Sequence, residues 1–251
     1  MFNIAYLTDV GLKRKHNEDT ILIDKQLNIY LVADGMGGHE KGEIASKIVA
    51  ETFLNQLISP QIATSQNSES DTVVLPVSLE ETLNHSIEIA TEKIYTYANE
   101  KNIEATMGTT IVGVKYMSNV NSWAVFHLGD SRAYMFRDNS LTQLSVDHSK
   151  HEELRQKGTS QEEIEKTGKN LITKAVGNFD PYRLDMKYVS LKKKDILLLC
   201  SDGVSDLCSN NELLLLIIQY KHDLDLLCMQ IKNLVYSRGA KDNFSVIVVE
   251  T

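Results

Sequence analysis

The sequence predicts an α+β fold in which antiparallel β-sheets carry helices packed on their outer faces. Three observations predict it. Apolar periodicity along the 251 residues gives the order strands, two helices, strands, two helices, strand. Regular β-α-β alternation, which a doubly wound parallel sheet needs, is absent. The first strand-like runs also follow one another without a helix-length crossover, so they belong to antiparallel sheets.

Residues 3–7 read as a short strand leading into Thr8-Asp9-Val10-Gly11. The next stretch, Gly11-Leu12-Lys13-Arg14-Lys15-His16-Asn17-Glu18-Asp19, is highly polar and by composition alone is a solvated loop. Strands follow over 20–23 and 29–33, with Asn28 in the turn between them. Ile44, Ala45, Ile48, Val49, Phe53 and Leu57 line one face of a helix over 43–57. Residues 59–78 are rich in Ser, Thr, Asn and Gln, contain Pro60 and Pro76 and lack periodicity, which predicts a mobile surface loop. Leu79, Leu83, Ile87, Ala90, Ile94 and Tyr97 line a second helix over 79–98, expected to pack with the first as an antiparallel pair on a sheet. Strands return at 109–115, 122–128 and 132–136, with Gly129-Asp130-Ser131 between the last two. The polar segment 147–168 carries weak helical signals at 150–156 and 161–165. Strands at 184–189 and 195–200 follow, the second running into Ser201-Asp202-Gly203. Helices over 211–219 and 224–236 precede a last strand, 244–249, just after Lys241-Asp242-Asn243.

A formal net charge of -8 argues against nucleic acid or an anionic membrane as a partner. The three cysteines, Cys200, Cys208 and Cys228, form no C-x-x-C pair, so neither a zinc ribbon nor a disulfide framework is suggested. Met1-Phe2-Asn3-Ile4 lacks the basic start and apolar core of a signal peptide. The longest apolar run, 213–218, is far below the roughly 18 residues that span a membrane. A cytoplasmic, monomeric protein is expected.

The stretch with most chemical content is Leu31-Val32-Ala33-Asp34-Gly35-Met36-Gly37-Gly38-His39. A strand that delivers a carboxylate to a glycine-rich turn can hold a hard cation, because carboxylate and carbonyl oxygens are what Mg²⁺ and Mn²⁺ prefer. Asp130, Asp202 and Asp242 share that context, each beside an apolar strand-like run. Strand-end carboxylates can meet at one rim of a sheet, and crowding them is unfavourable unless cations neutralise them. Asp-Gly is also a common turn, so each aspartate alone is ambiguous. Competing motifs fail: Glu40 stands where a dinucleotide fingerprint needs glycine, and Glu43-Ile44 stand where a P-loop needs Lys and Ser/Thr. Leu199 replaces the leading glycine of a nucleophile elbow at Ser201, and His148 and His151 form no zinc H-E-x-x-H helix.

Arg14 with Asn17-Glu18-Asp19, Asp34-Gly35-Met36-Gly37-Gly38-His39, Gly108-Thr109-Thr110, Gly129-Asp130-Ser131-Arg132, Asp147-His148-Ser149, Ser201-Asp202-Gly203 and Asp242-Asn243 occur in one order along the chain. That order resembles the metal-dependent type 2C (PPM-type) Ser/Thr protein phosphatases, most closely their short bacterial-type catalytic domains. The resemblance implies a single catalytic domain over 1–251, built as a four-layer αββα sandwich of two antiparallel sheets between pairs of helices. It implies Mg²⁺/Mn²⁺-dependent hydrolysis of phosphoserine and phosphothreonine on proteins by a metal-bridged hydroxide, without a phosphoenzyme. Asp34 would bridge two ions, the Gly35 carbonyl would join one, and Asp202 and Asp242 would complete the other. Asp130 matches the position of a third, weaker ion. Glu18, Asp19 and Asn243 would support the site from behind the ligands, and Arg14 would grip the substrate phosphate. Many eukaryotic-type members have a histidine directly after the aspartate-glycine pair, where this chain has Met36. His39 is the alternative general acid, or a polar residue at a helix start. Segment 147–168 would be the flap beside the active site. The partners implied are phosphorylated proteins and a eukaryotic-like Ser/Thr kinase.

Overall fold

Hydrophobic strands buried on both faces build this molecule, and their alternation sorts its core into three layers. The computed structural model describes residues 2–37, 41–58, 62–65, 73–76, 78–103, 107–167, 171–177 and 182–251. The chain runs β1 (Asn3–Asp9), β2 (Asp19–Asp24), β3 (Ile29–Met36), α1 (Lys41–Ile58), β4 (Ile62–Ser65), β5 (Val73–Pro76) and α2 (Leu79–Glu100). It continues with β6 (Gly108–Thr109), β7 (Ile111–Met117), β8 (Ser122–Leu128), β9 (Arg132–Arg137), β10 (Ser140–Gln143), α3 (Lys150–Gln156) and α4 (Gln161–Lys166). The last elements are β11 (Asp185–Ser190), β12 (Ile196–Cys200), α5 (Asp202–Ser205), α6 (Asn210–Tyr220), α7 (Leu224–Ser237) and β13 (Phe244–Glu250).

One sheet has the order β1-β13-β12-β9-β10 and the other β11-β8-β7-β3-β2, with β6 paired to the end of β3. Every ladder is antiparallel. Successive side chains of a strand point to opposite faces, so a continuous apolar strand feeds two layers at once. In β3, Ile29, Leu31 and Ala33 meet Val49 and Phe53 of α1 and Leu83 and Ile87 of α2. Tyr30 and Val32 point the other way, onto Leu197 and Leu199 of β12 and Ile247 and Val249 of β13. On the far sheet, Leu198, Val246 and Val248 turn outward against Leu213 and Ile217 of α6 and Leu227 and Ile231 of α7. The result is the expected αββα sandwich. Among the described residues no helix is long and apolar enough to cross a membrane.

Several boundaries differ from the sequence-based expectation. β3 continues past Ala33 to Met36, because Gly35 and Met36 pair with Thr109 and Gly108. Asp34 therefore sits inside a strand. Within 59–78, expected to be a loop without regular structure, Ile62–Ser65 pairs with Val73–Pro76; the other residues of that segment up to 77 lie outside the described set. β10 and the four-residue α5 were too short and too polar for a periodic signal. Serine caps start the helices after loops: Ser78, Ser160 and Ser209 each complete a capping box with the glutamate three residues on.

Phe53 is fully buried and stacks on Phe126 with ring centroids 5.8 Å apart, joining α1 to its sheet. Phe53→Ala should cost about 3–5 kcal/mol in urea unfolding, the loss expected for a large aromatic in a packed layer. A cost below about 1 kcal/mol would contradict this packing.

Candidate active site

One buried amide organises the polar loop at 10–18. Asn243, at the entry to β13, donates through Nδ2 to the carbonyls of Val10 and His16, each at 2.9 Å. Its Oδ1 accepts the Glu18 N–H at 2.9 Å. Three bonds from one side chain thus tie the loop to the last strand. The loop in turn presents Arg14, whose exposed guanidinium meets Asp242 Oδ2 at 2.6 Å. Asp242 Oδ1 accepts the N–H of Asn243 at 2.8 Å.

The carboxylates arrive from four places in the fold. Asp19 opens β2 and lies opposite Asp34 of β3 in the ladder. The Asp34 backbone is held from the end of β6 and the residue after it: its carbonyl accepts the Thr110 N–H at 2.9 Å and the Thr109 hydroxyl at 2.8 Å. Gly35 follows where no side chain fits, since a Cβ there would lie 2.1 Å from the Gly42 carbonyl oxygen and 2.6 Å from that of Glu18. Asp202 begins α5 directly after β12, and Asp130 occupies the β8–β9 turn.

Crowding and burial raise the proton affinity of this group. Burial lifts Asp34 well above the carboxylate range, and the charges of Asp19, Asp202 and Asp130 add to it. The neighbouring Asp202 side chain favours the protonated form of Asp34, and Asp202 is itself raised to about 6 by burial and by Asp206. Asp130 is pushed up to about 7 by burial, then by Asp202 and Asp147. Asp19 is pushed up to about 7 by burial against the opposing hydroxyls of Ser245 and Ser201. Glu18 is raised by burial, with Arg14 opposing. Among the described residues, the buried oxygens Asp19 Oδ1 and Asp130 Oδ1 have no hydrogen-bond partner. Orphaned carboxylate oxygens in a cluster of oxygen donors fit hard divalent cations.

Asp34, Asp202, Asp130 and Asp19 converge, and Asp242 acts on Asp202, Asp19 and Glu18 while engaging Arg14. His39 lies outside the described residues. Sequence reasoning missed Asp206, which acts on both Asp130 and Asp202. Its spacing of four from Asp202 places it one turn on, with its N–H bonded to the Asp202 carbonyl at 2.8 Å. It also missed Ser201, whose hydroxyl donates to Asp19 Oδ2 at 2.8 Å and accepts the Ser245 N–H at 2.9 Å. No spacing rule signals that contact. Asp147 grips Arg132, with Nε 2.9 Å from Oδ1, and Ser149 caps α3.

A family profile described as protein phosphatase 2C matches residues 13–226. A serine/threonine phosphatase (Stp) of Listeria welshimeri is 31% identical over 251 residues, covering 98% of this chain and 94% of its own length. The crystal structure of the Mycobacterium tuberculosis serine/threonine phosphatase PstP/Ppp superposes with a TM-score of 0.83 at 26% identity, covering 99% of this chain and 98% of its own. The PstP catalytic domain in complex with two manganese ions gives 0.81 at 25% identity, over 99% and 97% of the two chains.

The raised carboxyl groups have a thermodynamic signature. A carboxyl group whose native pKa exceeds its unfolded value binds more protons when folded, so its contribution to stability grows as pH falls through the native pKa. In EDTA, lowering the pH from about 8 to about 6.5 should raise the melting temperature by on the order of 3 °C. Burial lowers the pKa of His127 and His148, which act in the opposite sense, but chiefly below their ordinary value. Saturating Mn²⁺ should stabilise more at the higher pH, because it takes the place of those protons. Thermal scans showing an unchanged or falling midpoint in EDTA would contradict the assignment.

Proposed function

The chain belongs to the protein phosphatase 2C family, and we propose that it hydrolyses phosphoserine and phosphothreonine esters of proteins with Mg²⁺ or Mn²⁺. The observation that carries this reading is the convergence of Asp19, Asp34, Asp130 and Asp202 with two buried carboxylate oxygens left unpartnered. Asp34, the Gly35 carbonyl, Asp202 and Asp242 would hold two cations, and Asp130, flanked by Asp202 and Asp206, a third. The two manganese ions of the related PstP domain support the pair. Such cations lower the pKa of water and neutralise charge developing on phosphoryl oxygens.

The chain's own residues supply the rest. Arg14 is the phosphate-binding cation, its planar fork suited to phosphoryl oxygens, and Asn243 holds its loop in place. Glu18 and Asp19 lie behind the ligands as additional acceptors. His39 is the candidate to return a proton to the serine or threonine alkoxide. Burial pushes the thiols of Cys200, Cys208 and Cys228 up to about 12, 11 and 12, far from a thiolate nucleophile. The reading is direct hydrolysis without a phosphoenzyme, by one catalytic domain over 1–251 that opposes a eukaryotic-like Ser/Thr kinase.

A phosphothreonine peptide should be turned over with Mn²⁺ and not with EDTA. Asp202→Asn should lower kcat/KM by on the order of 10²-fold or more, matching the several kcal/mol a Lewis-acid cation contributes. Arg14→Ala should act mainly on KM. Turnover that survives EDTA, or a fully active Asp202→Asn, would remove the basis of the proposal. Faster hydrolysis of small phosphate esters than of phosphopeptides would move the substrate class.

A further inference from the structure

Beside the carboxylate cluster lies a second group of titratable side chains. His127, His148 and Asp185 each place a ligand-type atom within 4.8 Å of the others, an arrangement in which a cation could sit. The hydrogen bonds argue for a different role. The Gly129 N–H points at His148 Nδ1 at 3.1 Å, so Nδ1 carries a lone pair. In the neutral ring the hydrogen is then on Nε2, 3.2 Å from Asp185 Oδ2. A cation on Nε2 would drive that hydrogen to Nδ1, where it would face the Gly129 N–H, donor against donor.

His148 holds Gly129 twice. Its backbone N–H also donates to the Gly129 carbonyl, at 2.9 Å. Gly129 has φ +118, a conformation that L side chains rarely adopt, so the turn depends on this residue and on what grips it. The next residue but one is fixed as well, with Ser131 Oγ and Thr110 Oγ1 2.7 Å apart. Asp130 is thus the residue between two anchored neighbours. Asp185 is kept at the Nε2 edge of the ring by the β11–β8 ladder, in which it pairs with His127. Burial, then His127 and Lys174, lower the basicity of His148, in keeping with a neutral ring.

We infer that His148, oriented by Asp185, is a positioning residue that fixes the Gly129 peptide and thereby aims the Asp130 carboxyl group into the phosphatase site. The inference rests on the place given to Asp130 in the function proposed above.

The test uses the full chain. With ¹⁵N-labelled histidine in EDTA, His148 should show an unprotonated Nδ1 and a protonated Nε2, and the Gly129 amide should exchange slowly. His148→Ala should lower phosphopeptide kcat/KM about 10-fold and raise the Mn²⁺ concentration for half-activation. His148→Asn, which keeps an acceptor oxygen near the Nδ1 position, should recover most of that loss. In an Asp130→Asn background His148→Ala should cost less than about 2-fold. Asp185 is half-exposed at an edge strand, so Asp185→Ala serves if His148→Ala fails to fold. It should speed Gly129 exchange, and Asp185→Asn should restore protection.

An Nδ1–H tautomer, or an equal cost of His148→Ala with and without Asp130, would overturn the inference while leaving an impaired Asp130→Asn to support the site. Zinc retained on dialysis and lost in His127→Ala would show a cation site instead. An Asp130→Asn enzyme fully active at every Mn²⁺ concentration would remove Asp130 from the site and the inference with it.

Discussion

Repulsion among aspartates that the fold forces together is the constraint on which the rest of the structure depends. Asp19 and Asp34 face each other across a ladder, and the charge of Asp202 bears on Asp34. Left to itself such a cluster would spread or protonate. It stays together because each carboxylate belongs to a backbone that cannot move independently. β2 and β3 are locked by six register pairs, and β12 lies in mid-sheet between β13 and β9. Three buried layers hold those strands, so the hydrophobic energy of the sandwich opposes the electrostatic cost at its rim.

Neutral groups do the local positioning. Asn243, Ser201, Thr109, Thr110 and His148 each hold backbone or one carboxylate oxygen near the site. None brings a compensating positive charge. A lysine or arginine inside the cluster would satisfy the same oxygens and leave none for a cation. Positive charge is kept to the edge: Arg14 pairs with Asp242, and Arg132 is occupied by Asp147.

The alternation of β3, β12 and β13 was legible because buried strands make apolar runs, and the two helix pairs because their apolar faces repeat at helical spacing. Asp34, Asp130, Asp202 and Asp242 stood out by their place beside such runs. What could not be read were contacts set by tertiary approach. Ser201 and Asp19 are 182 positions apart, and nothing in either neighbourhood announces the other. The β4–β5 pair was hidden by the polar residues around it, and β3 looked shorter because Asp34-Gly35 resembles a turn. His148 stands in the Asp147-His148-Ser149 stretch of the sequence without an assigned role until Gly129 is seen to point at its ring.

The distribution of donor atoms in the fold bears on which cation the rim would select. The thiols sit in the core between the β1-β13-β12-β9-β10 sheet and α6 and α7, where all three cysteines are buried. Two imidazoles beside the site are held by backbone, His127 by Val146 and His148 by Gly129. Among the described residues the groups that bear on the cluster offer oxygen, from carboxylates and from the hydroxyls of Ser201 and Ser245. Zinc and copper gain most from nitrogen and sulfur, whereas magnesium and manganese are satisfied by oxygen. Among the described residues the fold thus holds the thiols and these two imidazoles elsewhere, so a preference for oxygen-seeking cations would follow from where they are packed as much as from where the aspartates meet.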